Sequence, residues 1–442
     1  MKLTPTSLVR ARVARILLAF VALALTLAAV PSGRAEDVGL STERLHRINQ
    51  VVQRYIDAKE IAGAVTVVSR RGRLAHFEAQ GLMDIERTAP MRKDGIFRMA
   101  SMTKPVIGVA IMIMLEEGKV RLSDPVSKFI PEFKNAKVAI EIPPTGGRGA
   151  AALGEGQPAP PEIYTVPATR DITVRDLATH TSGLVSGGAG TREANRIAPR
   201  ETSSNLAAHM PKLALAPLDF QPGSQWRYSG LAGIDTLGRI VEVASGQTLD
   251  VFLKQRIFDP LGMKDTAFFP TDDRMARVVT LYGRTPNGLK KTDAPAWLLS
   301  KTYFSGGGGL WSTAEDYLQF AQMLVNGGEL NGKRLLSPRT IALMASNHVG
   351  DLYSQSGTSD PLERLIGRRR GMGFGLTVEV VMNPIEANRR QSTGSFGWDG
   401  AFGTHFWVDP KEQLTGILLI QQGLNAALNR DFENAVMQAI ID

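Results

Sequence analysis

Apolar positions along the chain change their spacing where we expect the secondary structure to change. They recur every three or four residues over residues 40–59, which predicts a helix. Residues 63–69 and 74–80 predict two strands, and Arg71-Gly72 between them is typical of a hairpin turn. Residues 105–115 are apolar on every side, so we expect them to form a fully buried helix.

The middle of the chain differs from both of its ends. Residues 143–161 are rich in Gly, Pro and Ala, which predicts an exposed loop or insertion, and helical and loop segments then dominate to residue 300. Strands are expected again at residues 405–408 and 414–421, on either side of a turn. A last helix is predicted over residues 431–441.

This order of elements predicts an α/β fold in which one sheet takes strands from both ends of the chain. We assign residues 36–130 and 300–442 to a discontinuous α/β domain. Residues 131–299 form a mostly helical domain inserted between its two parts.

Composition and charge exclude several classes of protein. Apolar residues make up 43% of the 442 residues and charged residues 21%, which are ordinary values for a globular protein. The chain has no cysteine, so disulfides, thiolate metal sites and cysteine nucleophiles are excluded. The net charge is +8, but five basic residues and no acidic one lie in residues 1–35, so the rest carries only +3. We therefore expect no nucleic-acid partner.

Residues 1–35 are typical of a secretory signal peptide. Basic residues extend to Arg15, an apolar stretch follows at residues 16–30, and Gly33 and Ala35 are the small residues that a signal peptidase requires. The alternative is an uncleaved anchor, but the stretch is shorter than the roughly 20 residues that span a bilayer. We expect a secreted or periplasmic protein that begins near Glu36 and has no stable membrane anchor after cleavage.

The candidate chemistry begins with an S-x-x-K tetrad at Ser101 and Lys104. Positions i and i+3 share one face of a helix, so the hydroxyl and the amine can meet. Pro105 is tolerated only in a first turn, so the helix must start at or near Ser101, where the helix dipole favours an alkoxide. A lysine buried at such a place can act as a base. The alternative is that Ser101 is only a helix N-cap.

Five segments in order resemble those of serine β-lactamases, penicillin-binding DD-peptidases and their esterase relatives. They are residues 97–105 (FRMASMTKP), 180–184 (HTSGL), 220–229 (FQPGSQWRYS), 306–316 (GGGGLWSTAED) and 397–404 (GWDGAFGT). The resemblance implies a β-lactamase/DD-peptidase-like fold, an antiparallel sheet flanked by helices with an inserted mostly helical domain.

On this resemblance Tyr228 is the phenol that shares the proton of Ser101 with Lys104. A free tyrosine titrates near pH 10, and a nearby ammonium favours the phenolate. The alternative is a buried core tyrosine. Lactamases commonly carry an asparagine two residues after this tyrosine, whereas this chain has Gly230.

The third motif departs from the pattern of β-lactamases and DD-peptidases, which carry K-T-G or H-T-G. Trp398 stands in the place of the cation, and the segment is similar to the W-x-G of family-VIII carboxylesterases. An indole offers an apolar wall but no charge for a carboxylate. Asp399 replaces the usual glycine, and we expect it either to repel an anionic substrate or to point to solvent. Gly400 allows close backbone approach, and the N–H groups of Ala401 and Ser101 would form an oxyanion hole.

The remaining candidates carry less chemistry. His180 is predicted to be structural, and His405 is a candidate for the wall of the cleft. The histidines show no metal-binding spacing, and no cofactor is expected. Residues 306–309 lack the lysine of a phosphate loop and are expected to let a strand pass close to the helix after Ser101. The absence of G-x-S-x-G disfavours an α/β-hydrolase.

The sequence therefore predicts an exported serine hydrolase that cleaves small-molecule esters or amides, most similar to carboxylesterases, through an acyl-enzyme on Ser101. The alternative enzyme is a β-lactamase or D-amino-acid peptidase on the same fold. The non-enzyme alternative is a penicillin-binding or cell-wall-binding module.

Overall fold

The computed structural model describes residues 31, 33–142, 161–356 and 369–442. The α-helices of these residues, in chain order, are α1 Thr42–Asp57, α2 Thr103–Glu116, α3 Val174–Ala178, α4 Ala189–Ile197, α5 Leu206–Leu213, α6 Ala232–Ser245, α7 Leu249–Leu253, α8 Asp259–Leu261, α9 Ala314–Val325, α10 Pro338–Met344 and α11 Ala426–Met437. A π-helix spans Lys254–Phe258. Short 3-10 helices include Ala35–Val38, Ala100–Met102, Val126–Lys128, Pro131–Phe133, Asp272–Arg277, Ala296–Leu299 and Gly350–Leu352.

The strands of the same residues are β1 Gly63–Arg70, β2 Arg73–Asp84, β3 Ala89–Pro90, β4 Phe97–Arg98, β5 Lys137–Glu141, β6 Ile163–Pro167, β7 Tyr282–Thr285, β8 Gly288–Lys291, β9 Trp311–Ser312, β10 Glu329–Leu330, β11 Lys333–Arg334, β12 Met372–Phe374, β13 Glu379–Val381, β14 Phe396–Asp399, β15 Thr404–Asp409 and β16 Leu414–Leu419.

An eight-stranded antiparallel sheet organises the fold. Its strand order is β12-β13-β14-β15-β16-β1-β2-β3, so it takes strands from both ends of the chain. The junction is the pairing of β1 with β16, in register from Val65 opposite Leu419 to Arg70 opposite Leu414. Four two-stranded sheets accompany it: β10-β11, β4-β9, β5-β6 and β7-β8.

Helices cover both faces of this sheet because side chains alternate along each strand. Val67 and Phe406 lie in one core cluster with residues of α2 and α9, whereas Val68 and Trp407 lie in another with residues of α1 and α11. The helix α2 is buried from Thr103 to Met114, as its uniform apolar composition predicts.

Local sequence signals explain the first elements. The Ser41 hydroxyl caps α1 by accepting from the Arg44 N–H at 3.2 Å. In the β1–β2 hairpin, Arg71 and Gly72 both have positive φ, 50° and 72°, as a tight two-residue turn requires. The helix predicted over residues 40–59 and the hairpin after it are confirmed.

The last helix is placed differently from the prediction over residues 431–441. It begins at Ala426 because the Asn425 side chain accepts from the Leu428 N–H at 3.1 Å. It ends at Met437, and Ile440 then forms a β-bridge with Leu40.

The middle of the chain contains strands that the sequence did not indicate, the hairpins β5-β6 and β7-β8. The predicted insertion falls almost entirely on residues 143–160, outside the described residues, as does the leader over residues 1–30 and 32. The domain boundaries and the signal peptide stay predictions. None of the helices in the described part of the chain has the length and hydropathy of a membrane span.

Candidate active site

The segment before Ser101 turns sharply from a strand into a helix. Phe97 and Arg98 form β4, which pairs with β9, and Ala100 then adopts a φ of +46°. Positive φ is uncommon for residues other than glycine and is a form of strain that clusters at functional sites. A 3-10 turn over Ala100–Met102 leads directly into α2, so the helical segment starts next to Ser101, as predicted.

The structure brings Ser101, Lys104 and Tyr228 together. Lys104 Nζ lies 3.0 Å from Ser101 Oγ, and the Tyr228 hydroxyl lies 2.8 Å from the same oxygen. Lys104 is fully buried, whereas Ser101 and Tyr228 are half-buried. Two groups that can carry a proton therefore meet at one serine hydroxyl, the geometry that an activated nucleophile needs.

Two backbone carbonyls fix the position of Lys104. Its Nζ donates to Gly230 O and to Gly307 O, each at 2.5 Å. A lysine ammonium has three N–H donors, and the third points at Ser101. When the amine is neutral, its two N–H bonds can stay on the carbonyls while its lone pair faces the serine hydroxyl. Sequence reasoning missed both carbonyls.

The glycine-rich segment 306–309 is held in place by Asp235. This fully buried carboxylate accepts from the Gly307 N–H at 2.9 Å, from Ser305 Oγ at 2.8 Å and from the Tyr303 hydroxyl at 3.0 Å, and it pairs with Arg200 at 3.1 Å. Nothing in the sequence singled out Asp235.

The close approach expected of residues 306–309 is correct, but the segment is a turn rather than a strand. A Cβ at Gly306 would lie 3.2 Å from the Ile107 side chain of α2, and one at Gly307 would lie 2.6 Å from the Leu231 Cα. Only glycine lets this turn approach α2 and the N-cap residue of α6 at the same time.

His180 supports the segment that carries Tyr228. Its Nδ1 accepts from the Ser229 N–H at 3.3 Å, and its ring packs edge-on against Tyr228 with centroids 4.8 Å apart. Burial, together with the charge of Lys104, holds the pKa of His180 well below its ordinary value, so the ring is neutral. This surrounding agrees with the structural role predicted for it.

Trp398 packs against Tyr228, one of the two side chains that contact Ser101 Oγ. Its indole is half-buried, with its ring centroid 5.6 Å from that of Tyr228 and 5.3 Å from that of Phe374. Trp398 and Tyr228 thus form an aromatic wall that reaches Ser101 through the Tyr228 hydroxyl, and the fully buried Phe374 supports it from the core.

The turn after Trp398 is anchored to the segment that precedes Ser101. Thr404 Oγ1 donates to Met99 O at 2.9 Å, and a Cβ at Gly400 would lie 2.4 Å from that same carbonyl oxygen. Gly400 is therefore required by the close approach of two backbones, as expected.

The two backbone N–H groups of the predicted oxyanion hole, those of Ser101 and Ala401, have no acceptor within the part of the chain that the structure describes. The Gly400 N–H, by contrast, donates to Thr404 O at 2.7 Å. Ala401 is exposed, on the turn that packs against the nucleophile segment.

Asp399 and His405 lie on the face of the sheet opposite Trp398. This differs from the expectation that Asp399 repels an anionic substrate or points to solvent, and from the expectation that His405 lines the wall of the cleft. Neighbouring residues of a strand point to opposite faces, so Asp399 faces away from Trp398. Its Oδ1 lies 2.5 Å from His405 Nδ1, and only 17% of its side chain is exposed. Asp399 therefore neither meets a substrate nor points to solvent, and the buried His405 does not line the cleft.

Within the described ranges, no group of three or more His, Asp or Glu side chains is arranged to hold a metal ion.

The fold and the three side chains at Ser101 are those of a serine hydrolase. A model of the Beta-lactamase family matches residues 48–437, and the chain belongs to this family. The match confirms the resemblance and the fold class that the sequence predicted, within the superfamily of serine β-lactamases, DD-peptidases and related esterases.

Similar proteins include an esterase, a hydrolase and an uncharacterized protein. An uncharacterized protein of Mycobacterium tuberculosis is 35% identical over 377 residues, which cover 84% of this chain and 88% of that protein. The esterase EstB of Burkholderia gladioli is 29% identical over 419 residues, covering 88% and 94%. The solved structure of EstCE1, described as a hydrolase with promiscuous acyltransferase activity, is 27% identical with a TM-score of 0.72, covering 89% and 99%.

Proposed function

We propose that this protein is an exported carboxylesterase that cleaves neutral esters through an acyl-enzyme on Ser101. The observation that carries the proposal is the composition of the cleft beside the nucleophile. An indole and a glycine, Trp398 and Gly230, occupy the two places where lactamases of this superfamily bind a carboxylate and an amide. Export is proposed from the leader-like pattern of residues 1–35.

Acylation uses the hydrogen bonds at Ser101. The Ser101 oxygen forms a bond to the ester carbonyl carbon while its proton passes to the Lys104–Tyr228 pair, whose polar atoms lie 3.0 and 2.8 Å away. The carbonyl oxygen becomes an oxyanion, which accepts from the N–H groups of Ser101 and Ala401. The carbon–oxygen bond to the alcohol then breaks, and the Tyr228 hydroxyl donates the proton to the leaving alkoxide.

Deacylation repeats these steps with water. A water molecule loses its proton to the Lys104–Tyr228 pair as its oxygen bonds to the acyl carbon. The bond to Ser101 breaks, the serine oxygen regains a proton, and the carboxylic acid leaves. The carbonyls of Gly230 and Gly307 keep Lys104 in one position throughout, since each accepts one of its N–H bonds.

The aromatic wall favours apolar acyl groups. The rings of Trp398 and Tyr228 are half-buried with centroids 5.6 Å apart, and the fully buried Phe374 packs against Trp398. Each methylene that a substrate buries against the two half-buried rings would contribute about 0.8 kcal/mol. The similar proteins EstB, an esterase, and EstCE1, a hydrolase, support ester hydrolysis as the reaction.

The experiment compares kcat/KM for p-nitrophenyl butyrate and for nitrocefin at one pH. A charged hydrogen bond contributes roughly 1.5–3 kcal/mol, so its absence is expected to reduce nitrocefin turnover by about one to two decades relative to the ester. Trp398→Lys should reduce the difference in kcat/KM between the two substrates, because it restores a cation at this position. Equal turnover of both substrates by the wild type would favour the β-lactamase alternative. A single burst of product without steady turnover would favour the binding module.

A further inference from the structure

Asp399 and His405 form a pair behind the third motif. They are direct cross-strand partners on β14 and β15, at the two ends of the turn that contains Ala401. Their side chains meet on the face of the sheet opposite Trp398, with 2.5 Å between Asp399 Oδ1 and His405 Nδ1.

A row of alternating charges continues from this pair to the edge of the sheet. Glu433 of α11 lies 3.2 Å from His405 Nε2 and accepts from Arg389 Nη1 at 2.8 Å. Arg389 also reaches Glu379 of β13 at 3.3 Å, and Asn429 Nδ2 lies 3.4 Å from Asp399. Each of the five ionisable side chains is at most 17% exposed.

The charges of this row support one another. Burial alone would lower the pKa of His405, but Asp399 and Glu433 outweigh it and raise the pKa to about 9. Burial would raise the pKa of Glu433, but attraction to Arg389 and the contact with His405 lower it to about 2. At neutral pH His405 is therefore protonated and Glu433 ionised. A buried ion pair is weak evidence for net stability, and in some proteins such groups fix one arrangement instead.

The turn is thus held from both sides. In front, Thr404 Oγ1 donates to Met99 O beside the nucleophile, and behind, the Asp399–His405 pair closes the ends of the two strands. We propose that Asp399 and His405 are positioning residues that fix the Ala401 N–H relative to Ser101 and thereby set the strength of the oxyanion hole. The inference rests on the proposed function, because that function assigns the Ala401 N–H to the oxyanion.

The test uses Asp399→Asn and His405→Gln, each of which keeps a polar side chain and removes the charge pairing. A misplacement of about 1 Å can cost as much as 10²-fold, so we expect kcat for p-nitrophenyl butyrate to fall about tenfold or more with KM little changed. The inhibition constant of a trifluoromethyl ketone, which forms the tetrahedral oxyanion, should rise by the same factor as kcat falls. The double variant should be scarcely worse than the poorer single one.

Asp409→Asn is the matched control for a merely structural loss. Asp409 is fully buried at the far end of β15 and accepts from the N–H groups of Ser392, Lys411 and Glu412. The substitution Asp409→Asn should lower the melting temperature without changing kcat or the inhibition constant. If Asp399→Asn and His405→Gln behave in the same way, the positioning role is wrong.

A second measurement separates this inference from the proposed function. The rate at which a fluorophosphonate labels Ser101 depends on the oxyanion hole but requires no ester turnover. If the wild type does not cleave the ester, the proposed function fails, and the labelling rates of the variants still decide the inference. Equal labelling rates in wild type and His405→Gln would overturn the positioning role. If Asp399→Asn does not fold, the comparison of wild type with His405→Gln is sufficient for the test.

Discussion

Replacing Gly307 by alanine should disable the site by displacing a backbone carbonyl rather than by removing a side chain. A Cβ at this position would lie 2.6 Å from the Leu231 Cα and 3.0 Å from the Leu231 carbonyl oxygen. Because both contacts are backbone atoms of another segment, the peptide at residue 307 must shift. That peptide carries the carbonyl that accepts from Lys104 Nζ at 2.5 Å.

The size of the effect follows from the bond that is lost. A hydrogen bond to a charged group contributes roughly 1.5–3 kcal/mol, which corresponds to about 10- to 100-fold in kcat if Lys104 is misplaced in the transition state. Overpacking adds a stability cost of about 1–3 kcal/mol, so the melting temperature should fall as well.

The assay measures kcat and KM for p-nitrophenyl butyrate well below the melting temperature of the variant. The control is Gly308→Ala, one residue further on, where a Cβ would meet nothing nearer than 3.4 Å. We expect Gly308→Ala to keep kcat within about threefold, since ordinary van der Waals contacts require no backbone shift. The reasoning is refuted if Gly307→Ala folds and retains the kcat of its neighbour, because Lys104 would then not depend on that carbonyl.

Three further predictions concern the proton pair, export and pH. Lys104→Ala and Tyr228→Phe should each lower kcat by about 10²-fold or more, and the double variant should be scarcely worse, whereas multiplicative losses would mean independent roles. N-terminal sequencing of the protein recovered outside the cytoplasm should begin at or near Glu36, and an intact leader on a membrane-bound protein would contradict cleavage. The raised pKa of His405 contributes stability that is complete below about pH 6.5 and is lost as the pH rises through about 9. The melting temperature of the wild type should therefore fall over that pH interval, and it should fall less steeply in His405→Gln. The lowered pKa of Glu433 acts in the opposite sense, and its contribution is lost as the pH falls from about 4.5 through 2.

The parts of the site that depend on local spacing could be predicted from the sequence. Ser101 and Lys104 lie three positions apart at a helix start that Pro105 limits, so their contact follows from helix geometry alone. Tyr228 is 127 residues from Ser101 and could be found only through its resemblance to a known motif.

The parts that depend on backbone atoms could not be predicted. The carbonyls that hold Lys104 belong to Gly230 and Gly307, 126 and 203 residues away along the chain. Every residue has a carbonyl, so residue type does not indicate which one will face the lysine. Residue type does not indicate the role of Asp235 either, because its partners Tyr303 and Ser305 come close to it only in the folded chain.

The direction of Asp399 was within reach of sequence reasoning. If Trp398 faces the cleft, the next residue of the same strand must face the opposite side. The expectation that Asp399 meets an anionic substrate overlooked this alternation. Its partner His405 could then have been inferred from the antiparallel register across the turn.

Because β1 pairs with β16, the eight-stranded sheet can be completed only after the end of the chain has been synthesised. The strand β1 pairs with residues some 350 positions later in the chain, and long-range antiparallel pairing of this kind forms slowly. Until residues 414–419 leave the ribosome, one edge of β1 has no strand to pair with. A prematurely terminated chain would therefore carry the nucleophile segment but present an unpaired strand edge, which is a template for aggregation. Catalytic competence and protection from aggregation thus arrive together, with the last tenth of the polypeptide.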